Sequence, residues 1–519
     1  MNNVQVQRLG CACVAGLAIV AVLGLARNAV AEPKPGGSLI YAFSSGPRTL
    51  DPYVINNTVE IEVVNEIYES LVALGEDYTA RPSLAARAEV SPDARRFTFT
   101  LRHGVKFQNG KEMTAADVLA SFQRYQAVSP NAVALSGVEG YETPDPYTFV
   151  IRLKGTNALF LDVLKTPSYP FSILPAEQKD KAAGAADVIG TGPLRLGEWM
   201  KDSHLTLRRF DGYSVDPSAQ GLDGYAGRKI VYLDAVRYNI VPEPNARIAA
   251  VQSGGADVTS QIPQSLSKRV AGQPGMQVQQ VFPGCQQVFF QHTQNVPTNN
   301  LLVRQAVQAA MGVDDIMEAL GEVSKRNGQL SYPGTPYFTP GNPNFHYDVN
   351  DTAKAKALLQ QAGYHGEKIV LQTTPTYSWH LNATLVLSEH LKAAGMNVEV
   401  QPVDWNKNSN DRMSGEGGWN ISLTNFCSQP LLGPQQWRPF ILTIPQMRGD
   451  TVLEDAYRRV FESLDLPGRQ KAWAEVQQRV FDQAYFLKVG DYGAINIASP
   501  KVHDLTAWYN IRFWGVWRD

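Results

Sequence analysis

The sequence predicts an α/β protein, because strand-like and helix-like segments alternate along its 519 residues. The segments 368–373 and 397–403 have the composition of strands, and the stretch 383–394 between them has the apolar residues of a helix face. A strand, a helix and a second strand in this order are typical of an α/β unit. As a third observation, apolar residues alternate with threonines over 97–101, which predicts a strand with one buried face.

Turn and capping residues predict the elements of the first half of the chain. The β-rich segment 38–43 is followed by turn-forming residues and is expected to be the first strand. A glycine turn after 97–101 predicts a hairpin that returns through 105–107. Thr114, with an acid three positions later and an apolar stripe beyond it, predicts the start of a helix. The segment 147–154 again alternates as a strand does.

The second half is expected to contain longer helices. The segments 303–320 and 353–362 have helical apolar patterns, and Gly363 predicts a left-handed cap at the end of the second. A pair of helices is predicted over 452–484, interrupted near Pro467. The aromatic-rich tail at the end of the sequence is expected to pack back onto the folded protein.

Composition and charge exclude one class of partner. The chain is 44% hydrophobic and 18% charged, as expected for a large globular protein, and its formal net charge is −2. No block rich in lysine and arginine is interleaved with aromatic residues. A nucleic-acid partner is therefore not expected.

The N-terminal segment 1–31 has the pattern of a cleavable export signal. Arg8 precedes an almost purely apolar run over 11–26, and the small residues at 29–31 suit signal peptidase. A retained membrane anchor is the alternative, but the run is shorter than the roughly 20 residues that span a bilayer. Cleavage before Glu32 removes two arginines and no acid, so the formal net charge changes from −2 to −4. We therefore expect a freely diffusing, monomeric periplasmic protein.

Cysteine usage agrees with export. Cys11 and Cys13 would leave with the signal, so the mature chain keeps Cys285 and Cys427. Two cysteines in an oxidising compartment can pair, and on the residues alone a disulfide and two free thiols are equally expected. No CxxC spacing indicates zinc or redox chemistry.

The sequence lacks the motifs of common enzymes and metal sites. It has no GxSxG nucleophile elbow, and the segment 104–111 departs from a phosphate-binding loop because Glu112 stands where Ser or Thr is required. The eight histidines are dispersed, so neither a metal nor another cofactor is expected. No catalytic residue is proposed on this basis. A secreted hydrolase with an unrecognised dyad and a periplasmic holdase that binds unfolded chains remain alternative functions.

Several short motifs occur together along most of the mature chain. They are Pro82-Ser83-Leu84-Ala85, Ser91-Pro92-Asp93, Phe97 to Arg102, Gly104 to Phe107, Asn109-Gly110 and Asp117-Val118, with Asn65 to Glu69, Gly190 to Pro193, Val303 to Ala306 and the segment from Ala353 to Tyr364. In combination they closely resemble the signature of the family 5 bacterial solute-binding proteins, the peptide, nickel and opine receptors of ABC importers.

The resemblance implies a bilobal periplasmic-binding-protein fold of type II with an extra domain. Domain I would comprise 32–66, 190–284 and 492–519, with domain II at 67–189 and domain III at 285–491. The two lobes would be joined by a hinge and close on a solute between them.

The implied function is that of the periplasmic substrate-binding component of an ABC importer. Such a protein would capture a peptide or peptide-like solute and deliver it to the permease and ATPase subunits at the inner membrane. Because members with similar signatures also bind opines, oligosaccharides, haem or nickel chelates, an opine, a sugar conjugate or a metal chelate stays open as the solute.

The oligopeptide-binding branch of the family is similar to this chain around its two cysteines. In that branch the two are joined, which implies a disulfide between Cys285 and Cys427. Trp405 and Arg412 keep the seven-residue spacing of a tryptophan and an arginine that line the peptide cavity there. By the same resemblance, the remaining ligand-binding candidates are Asn425, Phe426, Cys427 and Gln429.

Three features depart from that branch. Gln429 stands where the branch has an aspartate that pairs with the N-terminal amine of a peptide, Leu423 stands where it has an arginine, and the segment 414–418 is longer. Because a buried ammonium without its carboxylate is strongly penalised, recognition of a free amine is not expected. Gln429 can both donate and accept hydrogen bonds, which suits an amide, a hydroxyl or a sugar-like group.

Overall fold

The computed structural model describes residues 32–519 apart from Asn56, Glu322, 342–343, 428–431, Ala507 and Tyr509. The predicted signal peptide and Gln429 therefore lie outside the described residues. Among those that are described, no helix combines the length and the apolar character that crossing a membrane requires. The described chain from Lys34 to Asp519 forms one compact unit.

The helices and strands alternate along the described chain, which confirms the α/β prediction. The helices are α1 Thr58–Ile67, α2 Ala115–Val128, α3 Phe160–Leu164, α4 Pro244–Gln252, α5 Gln264–Val270, α6 Leu301–Ala310, α7 Val313–Leu320, α8 Thr352–Ala362, α9 Ser378–Ala393, α10 Trp405–Ser414, α11 Arg438–Ile441, α12 Thr451–Glu462 and α13 Leu466–Asp482. The longer strands are β1 Ser38–Phe43, β4 Ala85–Val90, β5 Arg96–Leu101, β6 Val138–Asp145, β7 Thr148–Leu153, β8 Leu194–Met200, β9 His204–Arg209, β12 Ala235–Ile240, β14 Gln277–Gln291, β16 Lys368–Thr373, β17 Asn397–Pro402, β18 Ile421–Phe426 and β19 Phe486–Ala498. The strands of two or three residues are β2 Val72–Leu74, β3 Ala80–Pro82, β10 Leu222–Asp223, β11 Ala226–Gly227, β13 Val258–Thr259, β15 Ser324–Lys325, β20 Val502–His503 and β21 Trp517–Arg518.

Eleven of the described strands form one mixed sheet at the centre of the protein. Its order is β17-β16-β18-β14-β19-β13-β1-β12-β9-β8, and β15 pairs with β19 beside this path. Strands β16 and β17 run parallel and are joined through α9, as the strand, helix and strand predicted from residue 368 onward require. Leu371 of β16 packs with Leu387 and Leu391 of α9 in a buried core, and each such side chain contributes about 1.5–3 kcal/mol to folding.

Strands β14 and β19 connect the two halves of this sheet, which are β17-β16-β18 on one side and β13-β1-β12-β9-β8 on the other. The first part of β14 pairs with the end of β19 beside β13, and its second part pairs with both β18 and the start of β19. The antiparallel register between them shifts between Val281 and Cys285. The predicted boundaries at 284/285 and 491/492 fall close to this shift, but the division into three domains stays a prediction.

A separate antiparallel sheet, β4-β5-β7-β6, lies within the segment 67–189 and carries α2. The hairpin predicted between 97–101 and 105–107 is wrong. Strand β5 pairs with β4 on one edge and with β7 on the other, so neither edge is free for a returning strand. Lys106 instead forms an isolated bridge with Glu112.

Most of the predicted helices are present, and one is divided. The segment predicted as a single helix over 303–320 is the pair α6 and α7, because Met311 and Gly312 have extended backbone angles and glycine is a poor helix former. Gly363 ends α8 in the left-handed conformation, with φ of 67°. Helices α12 and α13 form the predicted pair, and Pro467 lies in the first turn of α13. The aromatic tail packs back into the core through Trp514 and its neighbours.

Candidate ligand-binding cleft

A cavity of about 570 Å³ lies where the two halves of the central sheet meet. One side is lined by α1, the segment after β13 and the tail near Ile511, and the other by the start of α9, the start of α10 and the end of β18. Strands β14 and β19 line it between these sides. The described lining residues are Thr58, Ile61, Glu62, Ser260, Gln261, Ile262, Pro263, Val281, Gly284, Cys285, Tyr377, Trp379, Trp405, Asn425, Cys427, Tyr492, Gly493, Ala494, Ile495, Asn496, Asn510 and Ile511.

Three aromatic rings form one wall of the cavity. Trp405 is the first residue of α10, and the side chain of Asp404 caps that helix by accepting a hydrogen bond from the backbone N–H of Lys407. The Tyr377 ring meets Trp405 edge-on at 5.2 Å and stacks on Trp379 at 5.6 Å between centroids. This wall therefore consists of flat apolar rings, whose polar groups lie only at the ring edges.

The end of β18 carries two of the predicted site residues into the cavity. Asn425 lines it and donates a hydrogen bond from Nδ2 to the hydroxyl of Tyr492 on β19 at 3.1 Å. Cys427 follows the last residue of β18 and is bonded to Cys285 of β14, so the predicted disulfide is present. Because Gln286 pairs with Phe426, the disulfide extends the β14–β18 ladder by one cross-strand pair.

Arg412 lies two turns along α10 from Trp405 and is buried behind the cavity wall. Its side chain donates from Nη1 to Asn408 Oδ1 at 2.8 Å and to the carbonyl of Leu423 at 3.2 Å. The guanidinium carbon lies 6.0 Å from the centroid of the Trp405 ring. No carboxylate of the described residues forms an ion pair with it, and burial lowers the pKa of Arg412 to about 10. The seven-residue spacing therefore gives both side chains one helix face but different depths.

Phe426 and His380 complete the layer behind the rings. Phe426 is buried against Trp437, with 4.5 Å between ring centroids, on the face of β18 opposite Asn425. His380 Nε2 donates to the carbonyl of Leu423 at 2.8 Å, and burial lowers the pKa of His380 to about 4. Neither residue lines the cavity, so the predicted ligand contact of Phe426 stays a prediction.

The opposite wall contains an acid that the sequence analysis missed. Glu62 of α1 lines the cavity but is only 6% exposed. Tyr41 on β1 donates its hydroxyl hydrogen bond to Glu62 Oε2 at 3.1 Å and also contacts the hydroxyl of Ser260. Burial, reinforced by the nearby charge of Glu66, raises the pKa of Glu62 to about 8. A sequence signal existed, because three acids occur in a helix whose other residues are mostly apolar.

The other missed residues had weaker signals. Tyr377 and Trp379 are ordinary aromatic residues at the start of a helix, and their approach to Trp405 depends on the parallel pairing of β16 with β17. Within the described chain, no group of three or more His, Cys, Asp or Glu side chains is placed to hold a metal ion. The described lining combines aromatic and aliphatic side chains with amide, hydroxyl and carboxyl groups.

A family model described as bacterial extracellular solute-binding proteins, family 5, middle, matches residues 79–441. The chain belongs to this family. It is therefore a solute-binding protein, and the cavity between the halves of its sheet is the candidate solute site.

Two curated relatives illustrate the family. The probable peptide ABC transporter periplasmic-binding protein y4tO of Sinorhizobium fredii is 26% identical over 437 residues, which cover 79% of this chain and 80% of the relative. The glutathione-binding protein GsiB of Salmonella paratyphi A is 26% identical over 440 residues, which cover 81% of this chain and 82% of the relative. Both matches span most of each protein.

The fold is shared with solved structures of binding proteins. NikA from Brucella suis, solved in complex with Fe(III)-EDTA, superposes with a TM-score of 0.79 at 22% identity, over 93% of this chain and 100% of that chain. The match confirms the predicted bilobal periplasmic-binding-protein fold. At this identity it supports the fold alone.

Proposed function

We propose that this protein is the periplasmic substrate-binding component of an ABC importer and that it captures a peptide or peptide-like solute in the cleft. The observation that carries the proposal is the cavity of about 570 Å³, whose walls come from opposite halves of the sheet. This volume lies within the range of about 300–1,000 Å³ that is typical of small-ligand pockets. The names of the curated relatives favour a solute of peptide type.

The predicted site residues take different roles in this proposal. Trp405, Asn425 and Cys427 line the cavity and would contact the solute directly. Arg412 would act from behind Trp405 by supplying positive charge near the wall, since no acid among the described residues neutralises it. Phe426 would support β18 from the core, and Gln429 remains a candidate for the polar end of the solute.

Closure of the cleft would be a hinge motion at β14 and β19. These strands pass between the two halves, and their register shift at Val281 and Cys285 interrupts the regular ladder next to the cavity. A break in a long antiparallel pair is a natural place to absorb a change in backbone angles. The domain division at 284/285 and 491/492 is proposed on this basis.

The finer cellular assignment follows from the sequence. We infer that segment 1–31 is a signal peptide, that the mature protein is a monomer in the periplasm, and that it meets permease and ATPase subunits at the inner membrane. No catalytic role is proposed. Intact-mass measurement of periplasmic protein should give a chain that begins at Glu32.

The receptor role is tested by titrating the purified protein with trialanine, alanyl-phenylalanine and glutathione in a calorimeter. We expect binding of one solute per protein, and stabilisation by about 2.7 kcal/mol when the solute is present at about 100 times its dissociation constant. Hydrolysis of these compounds would favour a secreted hydrolase. Binding confined to unfolded polypeptides would favour a holdase.

A further inference from the structure

Glu62 supplies the acidic group of the cavity. Among the described residues that line the cavity, Glu62 alone carries a carboxyl group, and none is a lysine, an arginine or a histidine. A closed cavity with a single acid selects a solute group of positive charge, since a buried charge is tolerated when a charge of opposite sign accompanies it. The cavity thus presents an acid that lacks its partner.

The surroundings of Glu62 do not supply that partner. Glu66 on the same helix is a second acid, and Tyr41 on β1 and Tyr238 on β12 are neutral hydroxyl groups close to it. Arg247 on α4 faces Tyr41, but its guanidinium donates to backbone carbonyls. Within the described chain, Tyr41 is the one hydrogen-bond donor to the Glu62 carboxyl group. The other carboxyl oxygen is left for a solute.

We propose that Glu62 binds an ammonium group of the solute at the α1 wall of the cleft. The inference rests on the proposed receptor function and names the class of solute as a compound with a free amine. It places the acid on the α1 wall, whereas the sequence, with Gln429 where the oligopeptide receptors have an aspartate, led us to expect no acid for an amine. The aromatic wall is compatible with such a cation, because ring faces attract ammonium groups.

Binding of an amine should be coupled to release of a proton. Burial raises the pKa of Glu62 to about 8, so at neutral pH the carboxyl group of the free protein is mostly protonated. A bound ammonium favours the charged carboxylate and lowers this pKa. The affinity for an amine that stays protonated should therefore increase as the pH rises from 6 toward 8, and a proton should be released on binding at pH 7.

The test compares Glu62→Gln with Glu66→Gln. Glu66 is a matched control, because it lies one turn further along α1, is also buried and has a pKa raised to about 8 by burial. It accepts a hydrogen bond from the backbone N–H of Phe513 at 2.7 Å and does not line the cavity. Thermal unfolding of both variants shows whether each is folded before binding is measured.

The probes are trialanine, alanyl-phenylalanine and glutathione, each as the free amine and as its N-acetyl derivative, measured by calorimetry in two buffers of different ionisation enthalpy. We expect wild type and Glu66→Gln to prefer the free amines at least tenfold. Wild type should release a proton at pH 7, and Glu66→Gln should release a smaller fraction of one, because loss of Glu66 removes part of what raises the pKa of Glu62. We expect Glu62→Gln to lose both the preference and the proton release.

Three results separate this inference from the receptor role. Equal affinity of wild type for amines and acetylated probes overturns the inference and leaves the receptor role standing. A preference for amines that persists in Glu62→Gln also overturns it, because another acid then holds the ammonium. If wild type binds none of the probes in either form, both the peptide-receptor proposal and this inference are wrong.

Discussion

The two walls of the cleft each contain a buried ionisable group that has no ion-pair partner among the described residues, but they present it differently. Glu62 on α1 faces the cavity, whereas Arg412 on α10 lies behind the Trp405 ring. Burial raises the pKa of Glu62 to about 8 and lowers the pKa of Arg412 to about 10. At neutral pH the first shift leaves Glu62 mostly protonated in the free protein, whereas Arg412 keeps its positive charge. A solute whose positive end lies toward α1 and whose acidic end lies toward α10 would compensate both groups.

The walls also differ in how they are held. The β18 wall is fixed covalently to the crossover strand β14 through Cys285 and Cys427, whereas α1 is held by packing and by the cap of Asn57 on the backbone N–H of Glu60. A covalent anchor near the register shift keeps one wall in place relative to the proposed hinge. The α1 wall would then move with the other half of the sheet.

The largest expected effect comes from removing that anchor. The double variant Cys285→Ser, Cys427→Ser lacks the disulfide that joins two cysteines 142 residues apart. Release of so long a loop increases the entropy of the unfolded chain, so the free energy of unfolding should fall by about 2–5 kcal/mol. Denaturant unfolding of oxidised wild type and the double variant measures this difference.

Reduced wild type is the control for that experiment. It should unfold at nearly the same denaturant concentration as the double variant, because both lack the cross-link. Equal stability of oxidised wild type and the double variant would show that the bond does not constrain the unfolded chain. Two free thiols in the denatured, unreduced protein would contradict the bond itself.

The second effect tests the positive charge behind the aromatic wall. Arg412→Ala should lower the affinity for trialanine about tenfold, equivalent to about 1.4 kcal/mol, because the charge nearest the acidic end of the solute is lost. The affinity for trialanine amide, which lacks the carboxylate, should change less. Calorimetry with the two probes measures both values.

Arg304→Ala provides a matched control for the loss of a buried arginine. Arg304 is 5% exposed, donates to backbone carbonyls and lies away from the cavity lining. Its removal should destabilise the protein but leave the affinity for trialanine unchanged. If Arg412→Ala weakens the binding of trialanine and of its amide by the same factor, Arg412 is structural and gives the wall no charge selectivity.

Local patterns predicted the secondary structure better than the pairing of strands. The periodicity around residues 368–403 specified two strands and a helix, since side chains a few residues apart decide those elements. The false hairpin after 97–101 shows the limit, because the partners of β5 are β4 and a strand some 50 residues further on. Which edge a strand occupies depends on contacts that its own residues do not encode.

The candidate site was predicted unevenly for a similar reason. The seven-residue spacing of Trp405 and Arg412 did not reveal their different depths, because Arg412 is buried against Leu423 of β18 and Phe290 of β14. The residues alone left the disulfide open, and the resemblance to oligopeptide receptors resolved it. Glu62 was missed because its role depends on strands and loops about 200 residues away that enclose it.

The third effect concerns the aromatic wall itself. Trp405→Ala should lower the affinity for both trialanine and its N-acetyl form about fivefold, since a ring face is worth about 1 kcal/mol and does not distinguish end groups. Trp405→Phe is the control and should retain most of the affinity. Competition binding with a labelled probe can resolve differences of this size. A change in the preference between the two forms would mean that Trp405 helps to select the end group.

The smallest effect should come from the hydroxyl of Tyr41, which donates to Glu62. A donor stabilises the charged carboxylate and so lowers the pKa of Glu62, and Tyr41→Phe should therefore raise that pKa further. At pH 7 a smaller fraction of Glu62 is then ionised, so trialanine should bind about threefold more weakly, with the difference disappearing near pH 9. The amine of free trialanine titrates identically in both experiments, so the difference between the affinity–pH profiles of wild type and Tyr41→Phe reports the titration of Glu62.

Tyr238→Phe is the matched control, because Tyr238 pairs with Tyr41 across β1 and β12 while its hydroxyl has no hydrogen-bond partner among the described residues. A pH-independent loss in Tyr41→Phe, or an equal loss in Tyr238→Phe, would show that the tyrosine ring packing and not the carboxyl group of Glu62 sets the affinity of this wall.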